Sequence, residues 1–186
     1  MPKANGNFLI QCLRGTSQVF FMENALTGLL FFAAMAWASH VTGVWATTIG
    51  AAVGVIVATG TAYLMKCDEP SINQGLYGFN GILVGAALPT FIAVSPQLWV
   101  YVVFGAAAST VITATFGATL TKSWGIPGST GPFVLTGWLM VAGAYSFGGL
   151  DVTGDAPKLA TDYLAGTAAI PSPTELVQIF FRNIGQ

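Results

Sequence analysis

Gly75-Leu76-Tyr77-Gly78-Phe79-Asn80-Gly81 runs into Ile82-Leu83-Val84-Gly85-Ala86-Ala87-Leu88 and stops at Pro89. The fold turns on this stretch. It is apolar enough for lipid, but too short and too broken by glycine for an ordinary span of roughly 20 residues. Irregular backbone at membrane depth is tolerated only where protein or a water-filled cavity covers it. Residues at about 75–88 are therefore read as a re-entrant half-helix. Upstream, Lys66-Cys67-Asp68-Glu69-Pro70 is the clearest charged break, and Val41 to Met65 is long enough to span. Downstream, Leu98 to Leu120 is another full-length span. A second breaker-rich stretch follows, Trp124-Gly-Ile-Pro127-Gly-Ser129-Thr130-Gly-Pro132-Phe133. Pro132 suits the first turn of a helix running to about Phe147, where its missing N–H costs nothing.

Further out, Phe8 to Phe21 and Ala25 to His40 are apolar and helix-compatible. The reading is five passes with one re-entrant loop between the third and fourth. Composition agrees. Apolar residues make up 54% of the 186, and Asp, Glu, Lys and Arg only 7%. A soluble domain carries roughly 25% charged residues, so a water-facing surface cannot be built here. Net charge is −1 without a basic cluster, which leaves nucleic acid no electrostatic footprint. Cys12 and Cys67 stand alone, so neither a disulfide framework nor a zinc site is expected. His40 is the single histidine. No carboxylate pair lies within a span and no phosphate loop occurs, so an enzyme is not expected, nor any metal or cofactor.

From Gly148 to Thr174 Gly, Asp, Thr, Ser and Pro dominate, with charges at Asp151, Asp155, Lys158 and Asp162. This reads as an aqueous linker. Two interruptions, at 75–81 and 125–133, point to a transport pathway; turns at the membrane interface are the competing reading. Gly50-x-x-x-Gly54 and Gly81-x-x-x-Gly85 allow close helix packing and specify no function. The chain's end echoes its start: Phe181-Arg182-Asn183-Ile184-Gly185-Gln186 follows the pattern of Leu13-Arg14-Gly15-Thr16-Ser17-Gln18. That reads as one repeat plus the first helix of a second. After an odd number of passes a second copy enters the membrane inverted, as in many transporters. Lys3 and Lys122 fall on one side, Lys66 and Lys158 on the other, so no orientation is specified.

Three stretches resemble one family. Gln18-Val-Phe-Phe-Met-Glu23-Asn24, Gly75-Leu-Tyr-Gly-Phe79-Asn80-Gly81-Ile-Leu-Val-Gly85, and Pro127-Gly-Ser-Thr130-Gly-Pro132-Phe133 are similar to the motifs of the urea transporters, in the same order and rough spacing. The resemblance covers most of residues 8 to 147, one of the two homologous halves of a complete member. It implies an all-α integral membrane protein of the cell membrane. The repeat has five helices and a re-entrant half-helix and forms one half of an inverted-repeat channel. The expected organisation is a membrane repeat at 1–147, the linker at 148–174, and the start of a second-repeat-like helix at 175–186. The implied activity is passive, channel-like permeation of urea or similar small amides through the bilayer. Implied assembly is a homo-oligomer, by inverted pairing of halves and a family-type trimer. The alternative is a non-conducting half-length subunit, fragment or scaffold of the same fold.

Urea is planar and neutral, with four N–H donors and a carbonyl acceptor. A path must replace its water hydrogen bonds without holding it fast. By the resemblance Phe79 forms an aromatic slot; as a bare phenylalanine it is a packing residue. Thr130 offers a hydroxyl that donates or accepts; the competing role is a helix cap before Pro132. Glu23 would accept N–H bonds from urea; alternatively it is an interfacial glutamate touching water. Tyr77 and Asn80 support the first loop, and Pro127, Pro132 and Phe133 the second. Leu26 stands where the family often has a second slot phenylalanine.

Overall fold

The computed structural model describes residues 6–153 and 172–174. The chain divides into two compact units, residues 1–153 and 154–186. The described elements of the first are helical. Helix α1 (Phe8–Ser17) starts at Asn7, whose side chain accepts the Leu9 N–H. Helix α2 (Ala25–Thr42) is capped by Asn24, which accepts from Leu26 and Thr27, and it stops at Gly43 with φ +75°. After it come α3 (Ala46–Leu64) and the short α4 (Glu69–Gln74), with Asp68 as its cap and Pro70 in its first turn. Gly75, at φ +81°, ends α4 and lets the chain turn into α5 (Gly78–Phe91). Ser95 caps α6 (Pro96–Phe116). A π-helical segment, Gly117–Thr121, continues it into α7 (Lys122–Trp124). After the second break comes α8 (Gly131–Ala144), with Pro132 in its first turn as the sequence predicts.

Lengths sort these helices. Ala25–Thr42, Ala46–Leu64 and the continuous run Pro96–Trp124 have 18, 19 and 29 residues and are apolar enough to cross a membrane. At about 1.5 Å per residue, the shortest spans roughly 27 Å, close to a hydrocarbon core of about 30 Å. Helices α5 and α8 have 14 residues each, roughly 21 Å, and fall short. Over its described residues the protein is thus a helical, multi-pass membrane protein, and its two short apolar helices follow its two breaks.

Helices α3 and α5 approach at backbone distance where their glycines meet. A β-carbon on Gly50 would collide with the Gly85 carbonyl, one on Gly54 with the Gly81 carbonyl, and one on Gly85 with the Gly50 carbonyl. This is the close backbone approach that small-xxx-small spacing permits. Pro89 lies inside α5, which runs three residues past the predicted stop at Leu88. Proline supplies no N–H to the carbonyl four residues back. That carbonyl belongs to Gly85 and lies against Gly50.

Val84, Leu88, Ile92, Leu98, Val102, Met140, Ala144 and Leu150 form one core, and Cys12, Ala51, Val55 and Ile82 another. Leu150 falls in the segment predicted to be an aqueous linker. Its first residues instead dock onto the end of α5. The Ala93 N–H donates to Asp151 O (2.8 Å), the Thr153 N–H to Phe91 O (2.7 Å), and Ile92 bridges Val152. Polar composition hid this because the docking uses backbone groups, two apolar side chains, Leu150 and Val152, and the Thr153 hydroxyl, which donates to Thr90 O. The compact unit therefore extends to Thr153, past the predicted boundary at 147. The rest of the predicted linker except 172–174, and the predicted repeat start at 175–186, lie outside the described residues.

Candidate functional site

Between the two breaks lies a cavity of about 690 Å³. Phe79 lines it from the first turn of α5, with Tyr77 just before. Pro127, Ser129 and Pro132 line it from the second break, and Thr113 and the π-helical segment from α6. Such segments recur at functional sites because they re-aim the chain without ending the helix. Phe21 adds a third aromatic face. It is exposed, and its backbone is left-handed at φ +57°.

Behind the lining, Asn80 is fully buried. Its Nδ2 donates to Thr113 Oγ1 (3.1 Å) and to Ser129 O (3.3 Å). Its Oδ1 accepts the Phe133 N–H (3.1 Å). Phe133 is the third residue of α8, where a helix needs an acceptor for its unpaired N–H. Asn80 thus caps α8 from a distance. Thr130 occupies the cap position in the chain, but its side chain caps nothing, and its carbonyl receives the Val134 N–H. Ser129, at φ +45°, turns its carbonyl to Asn80. Pro132 and Phe133 follow on opposite sides. Pro132 faces the cavity, while Phe133 lines an apolar groove of about 370 Å³ between α5 and α8.

Glu23, Leu26 and Thr130 are not among the residues that line the cavity. Glu23 sits in the exposed turn before α2, and its Oε1 lies 3.6 Å from Arg14 Nη1. Arg14 also donates to Asn73 O (2.9 Å). Leu26 is exposed in the first turn of α2. The α1 face bearing Arg14 holds α4. Gln11 Nε2 donates to Asn73 Oδ1 (2.7 Å), the Tyr63 hydroxyl donates to Gln11 Oε1 (2.7 Å), and Gln18 Nε2 donates to Gln74 O (2.9 Å).

Among the lining residues that sequence reasoning gave no role are Gln18, Phe21, Asp68 and Thr113. Gln18 and Phe21 carried a signal as members of the motif-like stretch at 18–24, and Asp68 as a carboxylate beside the first break. Its Oδ1 accepts from the Tyr77 hydroxyl (2.7 Å) and its Oδ2 from the Ser71 N–H (3.0 Å). Partial burial opposes its charge, but the hydrogen bonds from Ser71 and Tyr77 outweigh this and hold its carboxyl below the usual aspartate range. Burial, and then the bond to Asp68, raises the Tyr77 phenol. Among the described residues no group of three or more His, Cys, Asp or Glu is placed to hold a metal.

An apolar helical protein with a cavity between two broken segments is a membrane transporter in outline, and the comparisons say of which kind. The urea transporter family model matches residues 9–186. Urea transporter 1 of Rattus norvegicus is 32% identical over 144 residues, which is 75% of this chain and 36% of that protein. The proteins of the same name from Mus musculus and Capra hircus are each 31% identical over the same shares. The chain belongs to the urea transporter family, whose members are passive transporters and not enzymes. The match covers 36% of the length of these curated relatives.

Proposed function

We propose that the chain supplies one wall of a passive urea channel and needs a second, inverted half to close the pore. The carrying observation is the cavity between the two breaks, with Phe79, Tyr77 and Phe21 on one side and the hydroxyl-bearing Thr113 and Ser129 on the other. Aromatic faces suit a planar solute, and oxygen acceptors suit its N–H groups. In this reading α5 is the re-entrant half-helix and Phe79 is the slot. Thr130 does not line the cavity itself, but it follows the lining residue Ser129 and its hydroxyl is not committed to capping; in this reading it exchanges hydrogen bonds with urea. Glu23, on the exposed α1–α2 turn, accepts urea N–H groups on the side that the second half would cover. Leu26 stands beside it as an aliphatic wall. The apolar groove between α5 and α8 and the exposed face of α2 are surfaces for the second half, for neighbouring copies in a trimer, or for lipid.

The test is urea-driven shrinkage of proteoliposomes containing the chain, followed by stopped-flow light scattering. Fast urea flux is expected, reduced roughly tenfold in Phe79→Ala if stacking of about 1.4 kcal/mol is lost, and reduced in Thr130→Val. No flux from well-incorporated chain would overturn self-assembly and leave the non-conducting half-length reading. Glycerol flux equal to urea flux would remove urea as the substrate.

A further inference from the structure

The cavity lining carries one charged side chain, Asp68. Its carboxylate is held by two neutral donors, the Tyr77 hydroxyl and the Ser71 N–H. Among the described residues no cation lies within ion-pair distance of it; the ion pair found there joins Arg14 and Glu23 elsewhere. Ser71 and Tyr77 take part of its acceptor capacity, and what these neutral donors leave unbalanced is its charge. Three aromatic side chains, Phe21, Tyr77 and Phe79, line the same cavity. Aromatic faces attract cations through their quadrupole, and Tyr and Phe faces both serve. A neutral planar solute can use the aromatic faces, but it has no need of an unpaired negative charge in the same cavity.

Asp68 has a structural duty, since it caps α4. That duty does not require the charge, because Asn caps as well as Asp. What the charge adds is an electrostatic preference in the cavity. The complementary ligand is planar, of urea's size, rich in N–H donors and positively charged. Guanidinium has these properties: it is the urea skeleton with the carbonyl oxygen replaced by an iminium N–H₂.

We propose that Asp68 makes this cavity a binding site for guanidinium-class cations, with Asp68 as the charge-selecting acceptor and Phe79 as the stacking face. The site rests on the urea reading only in sharing Phe79 with it. Both ligands fit the same aromatic slot and compete. Guanidinium binds more tightly than urea at equal concentration, and anions of the same size are repelled.

Equilibrium binding of radiolabelled guanidinium and urea to the full chain in lipid nanodiscs tests the site. Saturable guanidinium binding, displaced by urea, is expected. A unit charge about 4 Å away in water-screened surroundings is worth roughly a fivefold change in affinity. Asp68→Asn should lose about that factor for guanidinium, lose less for urea and keep helical circular dichroism. Asp151→Asn, outside the cavity, should change nothing. Unchanged guanidinium binding in Asp68→Asn overturns the proposal. So does equal displacement by potassium, which would reveal unspecific charge screening. Urea binding without guanidinium binding overturns this proposal and spares the urea reading. Guanidinium binding lost in Asp68→Asn, with no urea binding in either protein, keeps the cation site and removes the urea reading. Binding of neither ligand to a chain of native helicity overturns both.

Discussion

Helices α5 and α8 have the same length and both follow a break, yet they are buried differently. Of the 14 residues of α5, eight are buried: Gly78 to Ile82, Val84, Gly85 and Leu88. It packs against α1, α3, α6 and α8. Of the 14 in α8, four are buried, and they fall on every fourth position: Pro132, Thr136, Met140 and Ala144. Its other face exposes Val134, Leu135, Trp138 and Leu139. Both helices are predominantly apolar, so apolarity does not decide which one is enclosed. Size does. Glycines at 78, 81 and 85 let α5 enter among its neighbours at backbone distance, whereas the bulk of α8 keeps it at the rim. In a membrane, where lipid is as apolar as leucine, packing of small residues sets the order of helices.

The contrast can be broken most severely at Gly85. Leucine there meets the Gly50 backbone, which no rotamer avoids. A loss of more than about 3 kcal/mol is expected, seen as aggregation on size exclusion in detergent. Asn80→Leu comes next. It strands the Phe133 N–H and removes the bonds to Thr113 and Ser129, for about 3 kcal/mol, and thermal melting should show α8 released before α5. Met140→Ala, on the buried stripe of α8, should cost about 2 kcal/mol. Trp138→Ala, on the exposed face, should stay within about 0.5 kcal/mol for the chain alone. The smallest effect is on pH. The folded pKa of Asp68 lies below its ordinary value. Its contribution to stability is therefore complete above about pH 3.9 and is lost as the pH falls through the lower folded value. Melting curves of Asp68→Asn should lack that acid-side loss.

Much of the fold was legible because lipid imposes simple rules on sequence. Length and apolarity located α2, α3 and α6. The spacing of Gly50, Gly54, Gly81 and Gly85 announced close packing, and Pro132 marked the start of α8. At the site, Phe79, Tyr77 and Pro127 were named from sequence and meet around one cavity. What was hidden depends on contacts between distant residues or on backbone conformation. Phe21 faces the cavity because its own φ is positive, which nothing in its side chain requires. Arg14 engages Glu23 through a turn whose geometry the sequence does not encode in a pattern. The docking of residues 150–153 joins backbone groups that have no sequence signature.

Asn80 also constrains how the protein is made. Its amide carries donors and an acceptor that lipid cannot satisfy. The acceptor's partner, the Phe133 N–H, lies 53 residues later in the chain. As the chain emerges, α5 is synthesised well before the groups that neutralise its one buried amide. Its stable residence in the bilayer therefore waits for α8. The two short helices enter as a pair, and a chain stopped between residues 92 and 128 would hold α5 at the surface or in the care of the insertion machinery.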